Sequence, residues 1–188
     1  MRLFVDQDHT LADFDEAFRR ITGLKPYPYR DRYVERMMKI GLDKDEAELK
    51  WNHDFWGVLE IEPRFWETIP PMPGFSKLKK VIMEFNPSIL TAVPHYTDVL
   101  IKAKQGKRKW IDKYLGRDVP LITITLDPVD HRKMDKTGFC ENKDDILIDD
   151  NELNVQAWRK KGGVAIHYVN AESTIKQFED LLKELQNG

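Results

Sequence analysis

Asp6 and Asp8, separated by Gln7, follow directly on the apolar run Leu3 to Val5, and a second acidic pair, Asp149 and Asp150, ends the run "DILID". Carboxylates gathered in one place repel, and a hard divalent cation that prefers oxygen ligands relieves the repulsion. Asp6, Asp8, Asp149 and Asp150 are therefore candidate ligands for Mg2+. A carboxylate at a strand end can also attack a phosphoryl group and form an aspartyl-phosphate. Anion attacking anion needs the charge on the transferring oxygens neutralised, and Lys107 and Thr91 are the side chains suited to that task alongside the metal. Asp8, one residue beyond Asp6 and aimed differently, is the candidate acid that protonates the leaving oxygen and then activates water.

Those residues need elements to hold them. Leu11, Phe14, Phe18 and Ile21 recur at three- and four-residue steps, so the opening reads as strand, tight turn and amphipathic helix. From residue 23 to 71 the chain carries two charged helix-like segments, about 31–40 and 43–52, and the aromatics Trp51, Phe55, Trp56, Phe65 and Trp66; "PPMPG" then closes it. Beyond Gly74 helix and strand alternate: helix 75–85, strand from Ser88, helix 98–115, strand from Val119, strand "DILID", helix 152–160, strand from Val164 and a last helix. The expected fold is α/β, a Rossmann-like parallel sheet with helices on both faces, plus a small helical cap inserted after the first strand unit. Its expected division is a core of residues 1–22 and 72–188 and a cap of 23–71. In such sheets ligands bind beyond the carboxyl ends of the strands. Asp6 with Asp8, Thr91, the basic segment "KQGKRKW" and the pair at 149–150 all read as falling at or just after such ends.

Composition narrows the function. A net charge of -2 across 188 residues argues against a broad grip on nucleic acid or an anionic membrane. The single Cys140 cannot form an internal disulfide, and no apolar run has the length of a membrane span, so a cytoplasmic protein is expected. The histidines at 53, 95, 131 and 167 show no metal-like spacing, although His95, four residues past Thr91, could approach the site. Trp110 and Trp158 read as helix packing.

"DQDHT" after an apolar strand, "ILTAV" ending its strand in a threonine region, a lysine three residues before Trp110 in "KRKW", and "ILIDDNELNVQAW" resemble, in order, the four motifs of the haloacid dehalogenase (HAD) superfamily. "DQDHTLADF" and "KRKWIDKYLG" are similar to the 5'(3')-deoxyribonucleotidases within it. The resemblance implies Mg2+-dependent hydrolysis of nucleoside monophosphates, with Asp6 as nucleophile, Asp8 as acid/base that also lends its carbonyl to the metal, and Asp150 as a direct ligand with Asp149 beside it. Thr91 and Lys107 would hold the phosphoryl oxygens. Phe14, and Ala92 next to Thr91, match substrate-contacting positions, and Phe55 and Trp56 would stack on a base or simply pack. The family's arginine-x-lysine group is sought at Arg132 and Lys133, in a longer loop than usual. Two departures stand out: His9 replaces the usual glycine after the second aspartate, and Ala92 replaces a serine. Other phosphomonoesters remain open as substrates, namely a sugar phosphate or a polynucleotide 3' end, as does a phosphate-binding module without turnover. No nucleic-acid or membrane partner is expected, and the oligomeric state is not legible.

Overall fold

The first apolar run becomes β1 (Leu3–Val5), the central strand of a five-stranded sheet. The computed structural model describes residues 1–60, 62–95, 97–126 and 134–187, with the side chains of 27, 28, 60, 97 and 185–187 left out. Around β1 lie β2 (Ser88–Val93), β3 (Leu121–Thr125), β4 (Ile146–Asp149) and β5 (Val164–His167), in the order β3-β2-β1-β4-β5, every neighbouring pair parallel. Parallel strands need crossovers, and helices supply them between β1 and β2, β2 and β3, and β4 and β5. The α-helices are α1 (Phe14–Thr22), α2 (Pro26–Lys39), α3 (Lys44–Glu60), α4 (Phe65–Thr68), α5 (Phe75–Ile82), α6 (Thr97–Tyr114), α7 (Glu152–Lys161) and α8 (Ala171–Asn187). The α/β class expected from the alternation is the one observed.

Strand alternation divides the core between the two faces. Leu3, Val5, Ile89, Ile146 and Ile148 enter one cluster with Trp110, Ile111 and Phe178, whereas Phe4, Leu90 and Leu147 enter another with Val155 and Trp158. Burial at this density on both faces is what allows such short strands to persist. Both tryptophans pack as expected, and each satisfies its indole N–H: Trp110 donates to Ile69 O (2.8 Å) and Trp158 to Asp145 O (3.1 Å). No helix among the described residues is long and apolar enough to cross a membrane.

The segment between α1 and α5 departs from the expected boundaries. Helix α2 starts at Pro26, earlier than 31, because proline is tolerated in a first turn whose N–H groups have no helical partner. Helix α3 continues to Glu60, well past 52, because Trp51, Phe55 and Leu59 extend one apolar stripe at four-residue steps. Val34, Met37, Ala47 and Trp51 give α2 and α3 a small core of their own. The chain leaves and re-enters the sheet region side by side: Asp13 N–H donates to Pro70 O (2.7 Å), Met72 N–H donates to Leu11 O (2.9 Å), and Ala12 bridges Pro71 antiparallel.

Candidate active site

The site begins where β1 ends. Asp6 N–H donates to Ile148 O (2.9 Å), which carries the pairing with β4 one residue past the strand and sets Asp6 next to Asp149. The chain then turns sharply: Leu11 and Ala12 N–H both donate to Gln7 O (2.8 Å), and His9 N–H donates to Ala12 O (2.8 Å). His9 adopts φ 59°, the left-handed region that a glycine would enter without strain. Asp13 ends the turn as the N-cap of α1, its carboxylate accepting from Glu16 N–H (3.0 Å).

Two buried lysines organise the acids. Lys107 Nζ donates to Asp8 Oδ2 (2.6 Å) and Thr91 Oγ1 (2.9 Å) and lies 5.3 Å from the centre of the Trp66 ring. Lys136 Nζ donates to Asp6 Oδ1 and Asp149 Oδ2, both at 2.7 Å. Lys107 is 0% and Lys136 1% exposed, a burial that an ammonium tolerates only when paired. Burial opposes the charge on Lys136, but the negative charges of Asp6 and Asp149 outweigh it and hold its pKa above the ordinary lysine value.

The second acidic pair is asymmetric. Asp149 accepts from Asn151 N–H (2.8 Å) and from Asn154 Nδ2, 3.1 Å from each oxygen, in addition to Lys136. The Asp150 carbonyl oxygen accepts from His167 Nε2 (2.9 Å), and Nδ1 of the same ring lies 2.9 Å from Glu152 Oε2. Oxygens of Asp6, Asp149 and Asp150 all fall within 4.8 Å of one another. Burial, followed by the charges of Asp6 and Asp149, pushes the Asp150 carboxyl up to about 8; burial raises Asp149 as well. These upward shifts mark more negative charge than one lysine relieves, and a hard divalent cation would relieve it, so this donor set fits Mg2+.

Asp6, Asp8, Thr91, Lys107, Asp149 and Asp150 thus come together. One correction concerns Lys107: "KQGKRKW" lies inside α6, not at a strand end, and its lysine reaches the acids because α4 packs against α6 and roofs the side chain with Trp66. Phe14, Phe55, Trp56 and Ala92 line a cleft of about 440 Å3 above the acids, which Trp51 and Trp66 share. His95 is not among its lining residues. Arg132 and Lys133 lie outside the described residues. Lys136 was missed by the motif reading, yet "MDK" at 134–136 has the spacing of the arginine-x-lysine group with Met134 in the arginine's place.

No family model matches the chain, and no curated protein does. Among solved structures, a phosphoglycolate phosphatase candidate from Lactobacillus delbrueckii subsp. bulgaricus aligns at TM-score 0.51 and 12% identity over 94% of this chain and 97% of that one. A family IA, variant 3 HAD hydrolase from Entamoeba histolytica aligns at 0.48 and 13% identity over 94% and 87%. A candidate HAD hydrolase, YfnB from Bacillus subtilis, bound to magnesium, aligns at 0.44 and 13% identity over 87% and 84%. The first of these likenesses shows a shared fold.

Proposed function

We propose that the chain is a Mg2+-dependent phosphomonoesterase of the HAD type that hydrolyses nucleoside monophosphates through an aspartyl-phosphate on Asp6. The observation that carries this reading is the pairing of each motif aspartate with its own buried lysine, Asp6 with Lys136 and Asp8 with Lys107, beside a third carboxylate at Asp150. The motif order along the chain and the fold shared with the Lactobacillus protein support it.

The roles follow from the contacts. Asp6, which accepts from Lys136, attacks phosphorus, and the ester P–O bond breaks as Asp8 gives its proton to the leaving oxygen. Asp8 next takes a proton from water, whose oxygen attacks phosphorus, releases inorganic phosphate and restores Asp6. Asp8 Oδ2 is tied to Lys107, whereas Oδ1 is buried without a hydrogen-bond partner and is the oxygen suited to proton duty. Mg2+ would be held by Asp6, Asp150 and the Asp8 carbonyl and would neutralise the phosphoryl oxygens. Asp149, occupied by three donors, fits the orienting role rather than direct ligation.

The cleft argues for the substrate. Phe14 and Phe55 lie 6.1 Å apart and Phe55 and Trp56 4.8 Å apart, an apolar wall on which a base can stack for roughly 1–3 kcal/mol. Residues 23–71 act in this reading as a cap that closes over the substrate. A small phosphorylated acid of the phosphoglycolate kind is the second reading, favoured by the Lactobacillus likeness, but it would leave the aromatic wall unused. Phosphate release from nucleoside 5'- and 3'-monophosphates, phosphoglycolate, sugar phosphates and a 3'-phosphorylated oligonucleotide, with Mg2+ and with chelator, decides among these. Mg2+-dependent release from mononucleotides that vanishes in Asp6→Asn is expected; release from phosphoglycolate alone would overturn the substrate assignment.

A further inference from the structure

We infer that His9 and Asp15 together read a sugar hydroxyl of the substrate, which makes His9 a specificity-determining residue. This inference rests on the nucleotidase reading above and deepens it.

The first observation is conformational. His9 stands at φ 59°, one of two non-glycine residues with positive φ among the described residues, and it does so in the turn that carries the reacting aspartates. A side chain at such a position is unfavourable by roughly 1–3 kcal/mol relative to an unstrained one, and strain of this kind gathers at sites of function. Glycine would serve the turn equally well, because its hydrogen bonds, from His9 N–H to Ala12 O and from Leu11 and Ala12 N–H to Gln7 O, are all made by backbone. Forming the turn therefore does not require the imidazole.

The second observation is where the ring sits. His9 lines the cleft with Phe14, their ring centres 5.7 Å apart, and its Nδ1 faces Asp15 Oδ1 at 3.6 Å. Asp15 also lines the cleft, and this Oδ1 is buried without a hydrogen-bond partner. An imidazole nitrogen and a carboxylate oxygen 3.6 Å apart, too far for a direct hydrogen bond, offer a donor and an acceptor together, and a hydroxyl, which both donates and accepts, is the group that bridges them.

The third consideration is order along the site. Asp8 serves the leaving oxygen, so the group bearing that oxygen lies on the Asp8 side of the phosphate. His9 is the next residue, and Phe14 leads on to the aromatic wall. In a nucleoside monophosphate the same sequence is ester oxygen, sugar, base. The sugar accordingly falls beside His9 and Asp15 when the phosphate is at Asp6 and the base is on Phe14 and Phe55.

The test compares kcat/KM for a ribonucleotide, its 2'-deoxy and 3'-deoxy counterparts, and p-nitrophenyl phosphate, in the native protein and in His9→Gly, His9→Asn and Asp15→Asn. His9→Gly suits the backbone and keeps the fold. The native protein is expected to prefer the hydroxylated substrate over one deoxy counterpart by about tenfold, the scale of one hydrogen bond at a site. In His9→Gly that ratio is expected to fall to within about twofold, chiefly through KM, while p-nitrophenyl phosphate, which has no sugar, falls by a smaller factor. His9→Asn, which tolerates the left-handed region and retains a donor, should keep part of the preference. An unchanged ratio in His9→Gly overturns the inference, as does an equal loss on all four substrates, which would mean that His9 only shapes the turn. Failure of the nucleotidase reading shows separately, as a native protein that releases phosphate from p-nitrophenyl phosphate and from no nucleotide, and it takes this inference with it.

Discussion

Lys136 holds two carboxylates at once, and removing it leaves Asp6, Asp149 and Asp150 facing one another in a buried site. Lys136→Met should therefore lower stability by roughly 3–5 kcal/mol without Mg2+ and reduce turnover by a factor on the order of 1,000, as seen in chemical denaturation and in phosphate release. A smaller stability loss with Mg2+ than with chelator would show that the deficit is charge repulsion. The same crowding sets a pH dependence. Asp150 is raised to about 8, above its ordinary value, so the folded state binds a proton that the unfolded state has released between about 4 and about 8. Stability of the metal-free protein should fall as pH rises through that window; Tm in chelator should decline from pH 5 to pH 8, and Mg2+ or Asp150→Asn should flatten the decline. The gathering of Asp6, Asp8 and Asp150 was legible in the sequence because each stands at a fixed offset from an apolar strand. Lys136 was not, since its partners lie 130 and 13 residues away and Met134 interrupts the pattern that would have marked it.

At the scale of elements, the reach of Lys107 depends on the residue before it. A Cβ on Gly106 would stand 2.4 Å from Trp66 Cβ and 3.1 Å from the Glu67 backbone nitrogen, so α4 can lie this close to α6 only over a glycine. Gly106→Ala should push α4 outward, lower stability by about 1–3 kcal/mol despite alanine's better helix propensity, and loosen Trp66 from Lys107. Thermal melts would register the first effect and a fall in kcat the second; a stabilised variant would mean that α4 yields freely. The helices and strands flanking this contact were readable from period alone, as β2, α5 and α7 illustrate. The contact was not, because a glycine inside a charged helix looks only like a weak position, and nothing in local periodicity reports which neighbour approaches it. The start of α2 escaped for a related reason: prolines read as breakers until their place in a first turn is known.

Across the whole molecule, the two ends of the sheet are fastened differently. At the end remote from the acids, the buried Asp145 takes Arg2 Nη2 at 2.5 Å and the amides of Asn142 (2.9 Å) and Glu141 (3.1 Å), joining the start of β1 to that of β4. The Arg2 hydrogen bond first, against the cost of burial and with help from the amides, holds the Asp145 carboxyl well below the usual carboxylate range. Its stabilisation is present above the ordinary value near 4 and is lost as pH falls through the folded one, so Asp145→Asn should cost roughly 1–3 kcal/mol at pH 7 and flatten the acid limb of the stability curve. At the end that carries the acids, by contrast, residues 23–71 leave and rejoin the rest at the crossing of Leu11–Asp13 with Pro70–Met72 and pack on it through α4 against α6. If they close over the phosphate as proposed, hydrogen exchange in α2 and α3 should slow with Mg2+ and vanadate and stay unchanged in Asp6→Asn, whereas uniform protection would argue for a rigid roof. The crossing carries a further consequence. Because the chain departs and returns at adjacent points, the sheet does not register the length of the stretch that holds α2 and α3. Insertions, deletions or exchange within α2 and α3, away from Trp66 and its contact with Lys107, can alter what the protein selects while the acids stay in place, so selection and chemistry can vary on separate parts of one gene.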